Sequence, residues 1–266
     1  MSLSIIKQMP SDKSPPSTEW FRDWFNEDYT LVYGHRSDRE AEEFVARWPI
    51  WREPLPANWC LDLGCGAGRF ARSVAQRGLK TVGLDLSRAL LRQAYSTPIV
   101  GDSPYYLRAD IRKPPLKGKF GLVVSLFTSF GYFETDQEHS ELLRTIGELL
   151  VPGGMLILDL PNRDAVLELE HVNVASARER KVGGTRIVES WGLDAGRHRV
   201  EKTIAVGEGT AVRHYSESVR LFSADELLGM TVAAGFTALW NFWGDYQGGP
   251  RERTSSRMIY FGRKRG

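Results

Sequence analysis

The sequence has few cysteines, no long apolar run and no excess of either charge. The 2 cysteines among its 266 residues, Cys60 and Cys65, form neither a CxxC motif nor a zinc-ligand spacing. We therefore expect reduced thiols, no bound metal and a location in the cytoplasm. Because no run of about 18 apolar residues occurs, we expect no membrane-spanning helix. Lys and Arg total 35 against 33 Asp and Glu, so the net charge gives no indication of a nucleic-acid or membrane partner.

Composition divides the chain into four parts. Residues 1–17 have only a short apolar piece before several prolines, which is typical of a disordered tail and not of a secretory signal. Residues 18–58 are helical in pattern and rich in aromatic side chains, and we expect them to pack on the main domain or to form a lid over its site. Residues 59–170 and 221–266 predict one α/β domain, and residues 171–220 predict an antiparallel β-meander inserted into it.

Short apolar runs alternate with amphipathic helical patterns in the main domain. The predicted elements are strands at 60–63, 81–86, 105–108, 122–127 and 155–160, with helices at 69–77, 88–95 and 135–150 between them. A further helix at 223–235 and strands at 237–243 and 257–261 close the chain. Strands that are apolar throughout are covered on both faces, so the pattern predicts a mainly parallel sheet between two layers of helices.

The predicted meander has alternating strands at 185–191, 199–206 and 212–221, joined by glycine-containing turns. Basic and acidic side chains are mixed along it in similar numbers. This mixture favours a solvated sheet face over a nucleic-acid patch.

Three glycines, Gly64, Gly66 and Gly68, follow the first predicted strand. A glycine-rich turn between a strand and a helix exposes backbone N–H groups to a ligand with no side chain in the way. The spacing is GxGxG, and Arg69 stands where the third glycine of the dinucleotide-binding fingerprint would lie. A nicotinamide-dependent oxidoreductase is therefore the least favoured of the alternatives.

Two acids accompany this turn. Asp62 precedes the first glycine, where a carboxylate would repel a pyrophosphate but suits a ligand with an ammonium or sulfonium charge. Asp85 ends the next predicted strand, 21 residues after Gly64, and a carboxylate there can accept hydrogen bonds from both hydroxyls of a ribose. The turn and its two acids together describe an adenosine with a cationic tail and no phosphates.

The segment from Asp62 to Gly68 resembles the first motif of the class I S-adenosylmethionine-dependent methyltransferases. The resemblance spans about Trp59–Asn162 and the closing helix and strands after Leu221. It implies a doubly wound, Rossmann-like, mainly parallel seven-stranded sheet with an antiparallel β insert. It also implies S-adenosyl-L-methionine as cofactor and S-adenosyl-L-homocysteine as product. In such enzymes an insert of this kind roofs the substrate pocket or pairs two subunits, so a homodimer through the insert is an open alternative.

The resemblance assigns the cofactor contacts residue by residue. The three glycines and Cys65 would line the methionine part, Asp85 would hold the ribose, and Leu86 would lie against the adenine. Asp110 and Ile111 would meet the adenine edge, Leu126 and Phe127 would lie beside the sulfonium, and Tyr33 would contact the cofactor from the N-terminal segment. The residues predicted to bind the cofactor are thus Tyr33, Asp62, Gly64, Cys65, Gly66, Gly68, Asp85, Leu86, Asp110, Ile111, Leu126 and Phe127.

The methyl acceptor is predicted partly by elimination. The fourth strand is not followed by the Asn/Asp-Pro-Pro-aromatic motif of enzymes that methylate exocyclic base amines. The cysteines lie at the first strand, whereas RNA cytosine-C5 chemistry needs a cysteine nucleophile late in the sheet. A metal-dependent catechol site would need clustered acids at the ends of the fourth and fifth strands, and only Asp159 is near. The run from Ser129 to Phe133 instead resembles small-molecule members such as amino-sugar N-methyltransferases. The predicted substrate contacts are Phe130, Tyr132, Asn162, Arg163 and Tyr246, and the candidate catalytic residues are His35 and Tyr132.

The sequence therefore predicts transfer of a methyl group to nitrogen or oxygen of a small organic acceptor by in-line displacement. A tightly placed nucleophile and the exclusion of water are the main requirements of such a reaction. Two alternatives stay open at this point: an RNA or protein methyltransferase, and a non-catalytic regulatory protein that binds S-adenosylmethionine.

Overall fold

The N-terminal segment forms three short helices ahead of the main sheet. The computed structural model describes residues 17–34, 37–99, 101–118, 120–171, 177–194, 196 and 198–266. The helices are α1 (Phe21–Trp24), α2 (Glu27–Tyr33) and α3 (Asp38–Arg47), followed by a 3-10 turn at Pro49–Arg52. Side-chain caps explain where two of them start, because Asn26 accepts from the Asp28 amide and Ser37 from the Glu40 amide.

The α/β pattern predicted between Trp59 and Leu160 is confirmed. The elements are β1 (Trp59–Leu63), α4 (Arg69–Ala75), β2 (Lys80–Asp85), α5 (Arg88–Ser96), β3 (Tyr105–Arg108), β4 (Phe120–Ser125), α6 (Asp136–Leu149) and β5 (Leu150–Pro161). A capping box at Thr135 and Glu138 begins α6, as predicted. The glycines at 153–154, expected to form a turn, lie inside β5 instead. Helix α7 (Arg163–His171) was not predicted.

The insert has one strand more than predicted. Strands β6 (Ala177–Val182), β7 (Thr185–Asp194), β8 (Arg199–Val206) and β9 (Arg213–Arg220) form an antiparallel sheet in that order. The chain closes with α8 (Ala224–Ala233), β10 (Phe236–Ala238) and β11 (Arg257–Lys264). The strand predicted at 237–243 therefore ends early, and Trp243 makes only isolated bridges to Pro250 and Ile259.

The main sheet has seven strands in the order β10-β11-β5-β4-β1-β2-β3. Strands β1 to β5 are parallel to one another, and β11 runs antiparallel to both β5 and β10. The predicted mainly parallel, Rossmann-like sheet is thus confirmed. The strand order reverses between β1 and β4, and the carboxyl ends of strands at such a reversal are where ligands bind in this architecture.

The prediction of a solvated sheet face for the charged residues of the insert was wrong for four of them. Glu189, Arg199, Lys202 and Arg220 are 3%, 2%, 7% and 7% exposed. The loop after β4 covers this face, and Arg199 donates to the carbonyl of Phe133 at 2.8 Å. Buried charges of this kind need partners, and each has them in the structure.

Every helix within the described ranges is too short or too polar to cross a bilayer.

Candidate functional site

A cavity opens at the carboxyl ends of β1, β2 and β4, around the glycine turn. Gly64, Gly66 and Gly68 have φ angles of 75°, 53° and 77°, in the left-handed region that favours glycine. Space is a second constraint, because a Cβ on Gly64 would lie 2.4 Å from the Ser129 hydroxyl oxygen. We call the cavity around this turn the glycine-loop cavity. Its described lining is Phe21, Phe25, Tyr29, Thr30, Tyr33, Gly34, Asp62, Gly64, Cys65, Gly66, Ala67, Arg69, Phe70, Asp85, Leu86, Leu90, Gln93, Asp110, Ile111, Leu126, Phe127, Ser129, Tyr132 and Phe133.

Asp85 is held by backbone amides at the end of β2. One carboxylate oxygen accepts from the Gly66 amide at 2.8 Å and the other accepts from the Ser87 amide at 2.7 Å. Burial raises the pKa of Asp85, and these hydrogen bonds oppose the rise. Each oxygen keeps a second lone pair, so the carboxylate can still accept two hydrogen bonds from a ligand.

Asp62 is the second acid of the cavity, and it is 2% exposed. Its Oδ2 has no hydrogen-bond partner among the described residues. Burial, followed by the nearby charge of Asp85, raises the pKa of Asp62 to about 7. A buried carboxylate oxygen without a partner is costly, and a cationic hydrogen-bond donor in the cavity would relieve that cost.

All the residues predicted to bind the cofactor line this cavity except Gly68. Gly68 caps the start of α4, and a Cβ there would lie 2.3 Å from the Tyr106 hydroxyl. Asp110 has a strong partner already, since both of its carboxylate oxygens accept from Arg112. Burial alone would raise the pKa of Asp110, but the hydrogen bonds from Arg112 lower it overall.

The N-terminal helices supply a wall of aromatic rings that the sequence prediction largely missed. Phe21, Phe25, Tyr29 and Tyr33 all line the glycine-loop cavity, and only Tyr33 was predicted. Three of the rings form a contacting row, with centroids 4.8 Å apart for Phe25 and Tyr29 and 4.7 Å apart for Tyr29 and Tyr33. Tyr29 and Tyr33 have a four-residue spacing within α2, which places them on one helix face. Phe21 and Phe25 lie before that helix, so the spacing is no signal for them.

A second cavity lies between the same helices, the end of the main sheet and the insert. We call it the insert cavity. Its described lining is Trp20, Phe25, Tyr29, Tyr33, Phe127, Thr128, Tyr132, Pro161, Trp191, Val200, Lys202, Glu217, Val219 and Arg257. Five of these side chains also line the glycine-loop cavity, namely Phe25, Tyr29, Tyr33, Phe127 and Tyr132. The two cavities are therefore neighbours separated by shared side chains.

The structure places only one of the predicted substrate contacts, Tyr132, at a cavity. Phe130 is fully buried and packs against the rings of His139 and Phe222. Its expected substrate contact is therefore not supported, because its ring faces the helix layer and not the cavities.

Asn162, Arg163 and Tyr246 are also occupied elsewhere in the structure. Asn162 is fully buried, and its side-chain amide donates to the carbonyls of Glu252 and Ser255 at 2.9 and 2.8 Å. Arg163 contacts Glu226 in α8, and the Tyr246 hydroxyl donates to the buried Asp159 carboxylate. These three side chains hold the chain segments after β5 together. The candidate base His35 lies outside the described residues.

The loop after β4 is strained where both cavities meet. Phe127 and Thr128 have φ angles of 53° and 77°, and a β-branched residue such as threonine seldom adopts this region. Asp159 in β5 holds them: its Oδ2 accepts from the Phe127 amide at 2.9 Å, and its backbone carbonyl accepts from the Thr128 amide at 3.0 Å.

The fully buried Asp159 carboxylate also accepts from the Tyr246 hydroxyl at 2.8 Å and pairs with Arg257 at 2.7 Å. Burial, and the adjacent Asp159 charge, raise the pKa of Tyr246 well above its ordinary value. The signal for this cluster was an acid within an otherwise apolar strand, for which the sequence suggested only a role as a metal ligand.

Comparisons with known proteins agree with this geometry. The family described as a methyltransferase domain matches residues 60–154. The dTDP-3-amino-3,4,6-trideoxy-alpha-D-glucopyranose N,N-dimethyltransferase of Streptomyces venezuelae is 29% identical over 234 residues, which cover 85% of this chain and 93% of that protein. The Bacillus subtilis protein YqeM is 29% identical over 126 residues, covering 46% of this chain and only 51% of that protein.

A solved structure extends the likeness to the whole fold. The crystal structure of an S-adenosylmethionine-dependent methyltransferase from Clostridium acetobutylicum ATCC 824 has a TM-score of 0.73 and 16% sequence identity. The match covers 93% of this chain and 98% of that one, and at this identity it concerns the fold alone. The fold is therefore Rossmann-like, and the glycine-loop cavity lies at the carboxyl ends of its parallel strands. The methyltransferase domain matched at 60–154 and the Streptomyces venezuelae relative support an S-adenosylmethionine-dependent methyltransferase.

Proposed function

We propose that the protein transfers a methyl group from S-adenosyl-L-methionine to nitrogen or oxygen of a small organic acceptor by in-line displacement. The observation that carries this proposal is that the glycine-loop cavity and the insert cavity share five side chains. A donor in the first cavity and an acceptor in the second would be neighbours, and such placement supplies most of what this reaction needs. The aromatic walls of both cavities would keep water out.

The residues of the glycine-loop cavity fit the cofactor. Asp62, with its unpartnered buried oxygen, suits the ammonium group of the methionine part. Asp85 would accept from the ribose hydroxyls, and Leu86 and Ile111 would contact the adenine. When bound, the cofactor supplies an electrophilic methyl group on a sulfonium.

The insert cavity suits a small molecule that has both apolar and polar parts. Rings and aliphatic side chains form most of its wall, and the charged side chains Lys202, Glu217 and Arg257 are placed among them. The Streptomyces venezuelae relative is named for an amino-sugar nucleotide, and the resemblance covers most of both chains. This supports a sugar-like acceptor for the present protein.

The proposal is tested by incubating the protein with methyl-labelled S-adenosylmethionine and a metabolite extract, followed by mass analysis of labelled products. We expect a small labelled product and formation of S-adenosylhomocysteine. Label found in RNA or protein would contradict the acceptor class. Cofactor binding without any labelled product would favour the non-catalytic alternative.

Asp85→Ala is expected to weaken binding of S-adenosylhomocysteine by about 1–3 kcal/mol, because two charge-assisted hydrogen bonds are lost. Isothermal titration calorimetry measures the change. Asp102→Ala removes an exposed acid and should leave the affinity as it is. Equal affinities of the Asp85 variant and the wild type would mean that Asp85 does not hold the ribose.

Two further expectations belong to this proposal. The free, buried thiols of Cys60 and Cys65 suit a reducing compartment such as the cytoplasm. Pairing of two subunits through the insert stays a prediction, which sedimentation velocity tests directly.

A further inference from the structure

The cations at the wall of the insert cavity already have acidic partners. Lys202 pairs with Glu189 at 2.5 Å, and Arg257 pairs with Asp159 at 2.7 Å. The side chains of these two acids are only 5% and 0% exposed. Neither cation is therefore available to an anionic group of the acceptor without breaking a buried pair, which is costly.

Glu217 is different, because its donors among the described residues are neutral groups. Its Oε1 accepts from the Trp24 indole at 2.6 Å and from the Tyr33 hydroxyl at 2.9 Å. Among the described residues no cation lies within 4.0 Å of this carboxylate, and Oε2 has no hydrogen-bond partner. Glu217 thus presents a negative charge and an open acceptor atom to the insert cavity.

A neighbouring lysine fixes how Tyr33 is oriented. Lys202 donates to the Tyr33 hydroxyl oxygen at 2.5 Å, and an ammonium group can only donate. The Tyr33 hydroxyl in turn donates its own hydrogen to Glu217. Because Tyr33 lines both cavities, this chain of hydrogen bonds runs from the insert to the boundary with the glycine-loop cavity.

We propose that the acceptor is an amine, and that Glu217 binds its ammonium form and takes the proton that must leave before methyl transfer. This inference rests on the proposed function and narrows its acceptor from nitrogen or oxygen to nitrogen. The proton moves from the ammonium to Glu217 Oε2, and the freed lone pair forms the N–C bond as the C–S bond breaks. The products are the methylated ammonium and S-adenosylhomocysteine, and the one proton removed passes from Glu217 to water.

The charge of the cavity disfavours the other acceptor classes. A carboxylate acceptor would be repelled by Glu217, and the two cations that would attract it are already paired. A neutral hydroxyl could enter, but it would gain only an ordinary hydrogen bond where an ammonium gains a charge-assisted one.

The pH dependence of the reaction separates this role from a structural one. Within the described part of the chain, the other titratable groups that line the insert cavity with Glu217 are Tyr29 and Tyr33 from α2, Lys202 from β8, Tyr132 and Arg257. Glu217→Gln keeps the shape and the acceptor oxygen but removes the charge. It leaves all five of these groups in place, so a change in the pH profile would report on the carboxylate itself.

The test compares the wild type with Glu217→Gln and with Glu179→Gln, which alters an exposed acid of the same sheet. Each is incubated with methyl-labelled cofactor, a metabolite extract, and a set of aminohexoses paired with the corresponding hexoses. We expect N-methylated products from the wild type and a loss of about 100-fold in kcat/KM for Glu217→Gln at pH 7. The loss should shrink as the pH approaches the amine's own pKa, where free amine forms without a base.

Binding measurements supply a readout that does not depend on turnover. With S-adenosylhomocysteine bound, affinity for the methylatable amine at pH 7 should fall at least about 10-fold in Glu217→Gln, the worth of one charge-assisted hydrogen bond. The affinity for S-adenosylhomocysteine itself should not change, and the Glu179 variant should match the wild type throughout.

Several results would overturn the inference and leave the proposed function standing. They are O-methylated products from the wild type, or a Glu217→Gln pH profile that matches the wild type. A third is that Glu217→Gln loses as much affinity for S-adenosylhomocysteine as it loses for the amine. The absence of any labelled product from the wild type would instead overturn the proposed function, and the inference with it.

Discussion

Asp62→Asn is expected to make the ligand-free protein more stable at pH 8 while it weakens cofactor binding. Burial and the charge of Asp85 raise the pKa of Asp62 from 3.8 to about 7 in the folded state. Between these values the unfolded chain releases its proton and the folded chain keeps it. Stability therefore falls as the pH rises through this window, and the full penalty is present above pH 7. Asparagine carries no such penalty, so we expect a gain on the order of a few kcal/mol at pH 8.

Denaturant unfolding of both proteins at pH 5 and pH 8 measures this effect. The stability gained by Asp62→Asn should be smaller at pH 5, because this pH lies between the pKa of Asp62 in the unfolded chain and its higher pKa in the folded chain. Only part of the penalty is present at that pH. Asp102→Asn, an exposed counterpart, should give no pH-dependent difference. Affinity for S-adenosylhomocysteine should fall about 10- to 100-fold, since a carboxylate paired with the ligand's ammonium is lost. If Asp62→Asn gave no gain in stability at pH 8, the buried Asp62 carboxylate would not destabilise the ligand-free protein.

The part of the glycine-loop cavity formed by the glycines and the two acids could be predicted from the sequence because these parts are local. Gly64, Asp62 and Asp85 each stand at a strand end, and parallel strands bring their carboxyl ends to one edge of the sheet. The periodicity that predicts β1 and β2 therefore also places these side chains. Leu86 follows for the same reason, since it comes directly after β2, and Ile111 lies in the short loop after β3.

The insert cavity could not be predicted in the same way, because distant segments meet there. The charge pattern of β8 and β9 is the same whether the sheet face is solvated or covered. That Lys202 and Glu217 face a cavity follows only once α1 and α2 lie against the insert. The alternation of rings after β4 is equally ambiguous: Phe130 faces the helix layer and Tyr132 faces the cavities, and tertiary packing decides which ring goes where.

Asp159 holds the loop where the glycine-loop cavity and the insert cavity meet. Its contacts predict a large loss of both stability and methyl transfer when it is substituted. The carboxylate neutralises Arg257 and holds the Phe127 amide, while its backbone carbonyl binds the Thr128 amide. A left-handed conformation costs about 1–2 kcal/mol for each non-glycine residue. Two successive residues in that conformation persist because Asp159 and its neighbours compensate the strain.

Asp159→Ala should lower the free energy of unfolding by about 3–5 kcal/mol, because Arg257 would be left without its buried partner. Methyl transfer should fall about 100-fold, since Phe127 lies where donor and acceptor meet and small displacements there are costly. Denaturant unfolding and steady-state kinetics measure the two effects. Tyr246→Phe, which removes one hydrogen bond to the same carboxylate, should cost only about 1 kcal/mol.

A second substitution separates the strain from the ion pair. Thr128→Gly should relieve the backbone at φ 77° and recover about 1 kcal/mol when combined with Asp159→Ala. Rate should not recover with stability, because a glycine at this position leaves the loop free to adopt other conformations. If Asp159→Ala unfolded like the wild type, Asp159 would not be what holds the loop. If the double variant regained full activity, the cluster would serve stability alone and not the placement of the reacting groups.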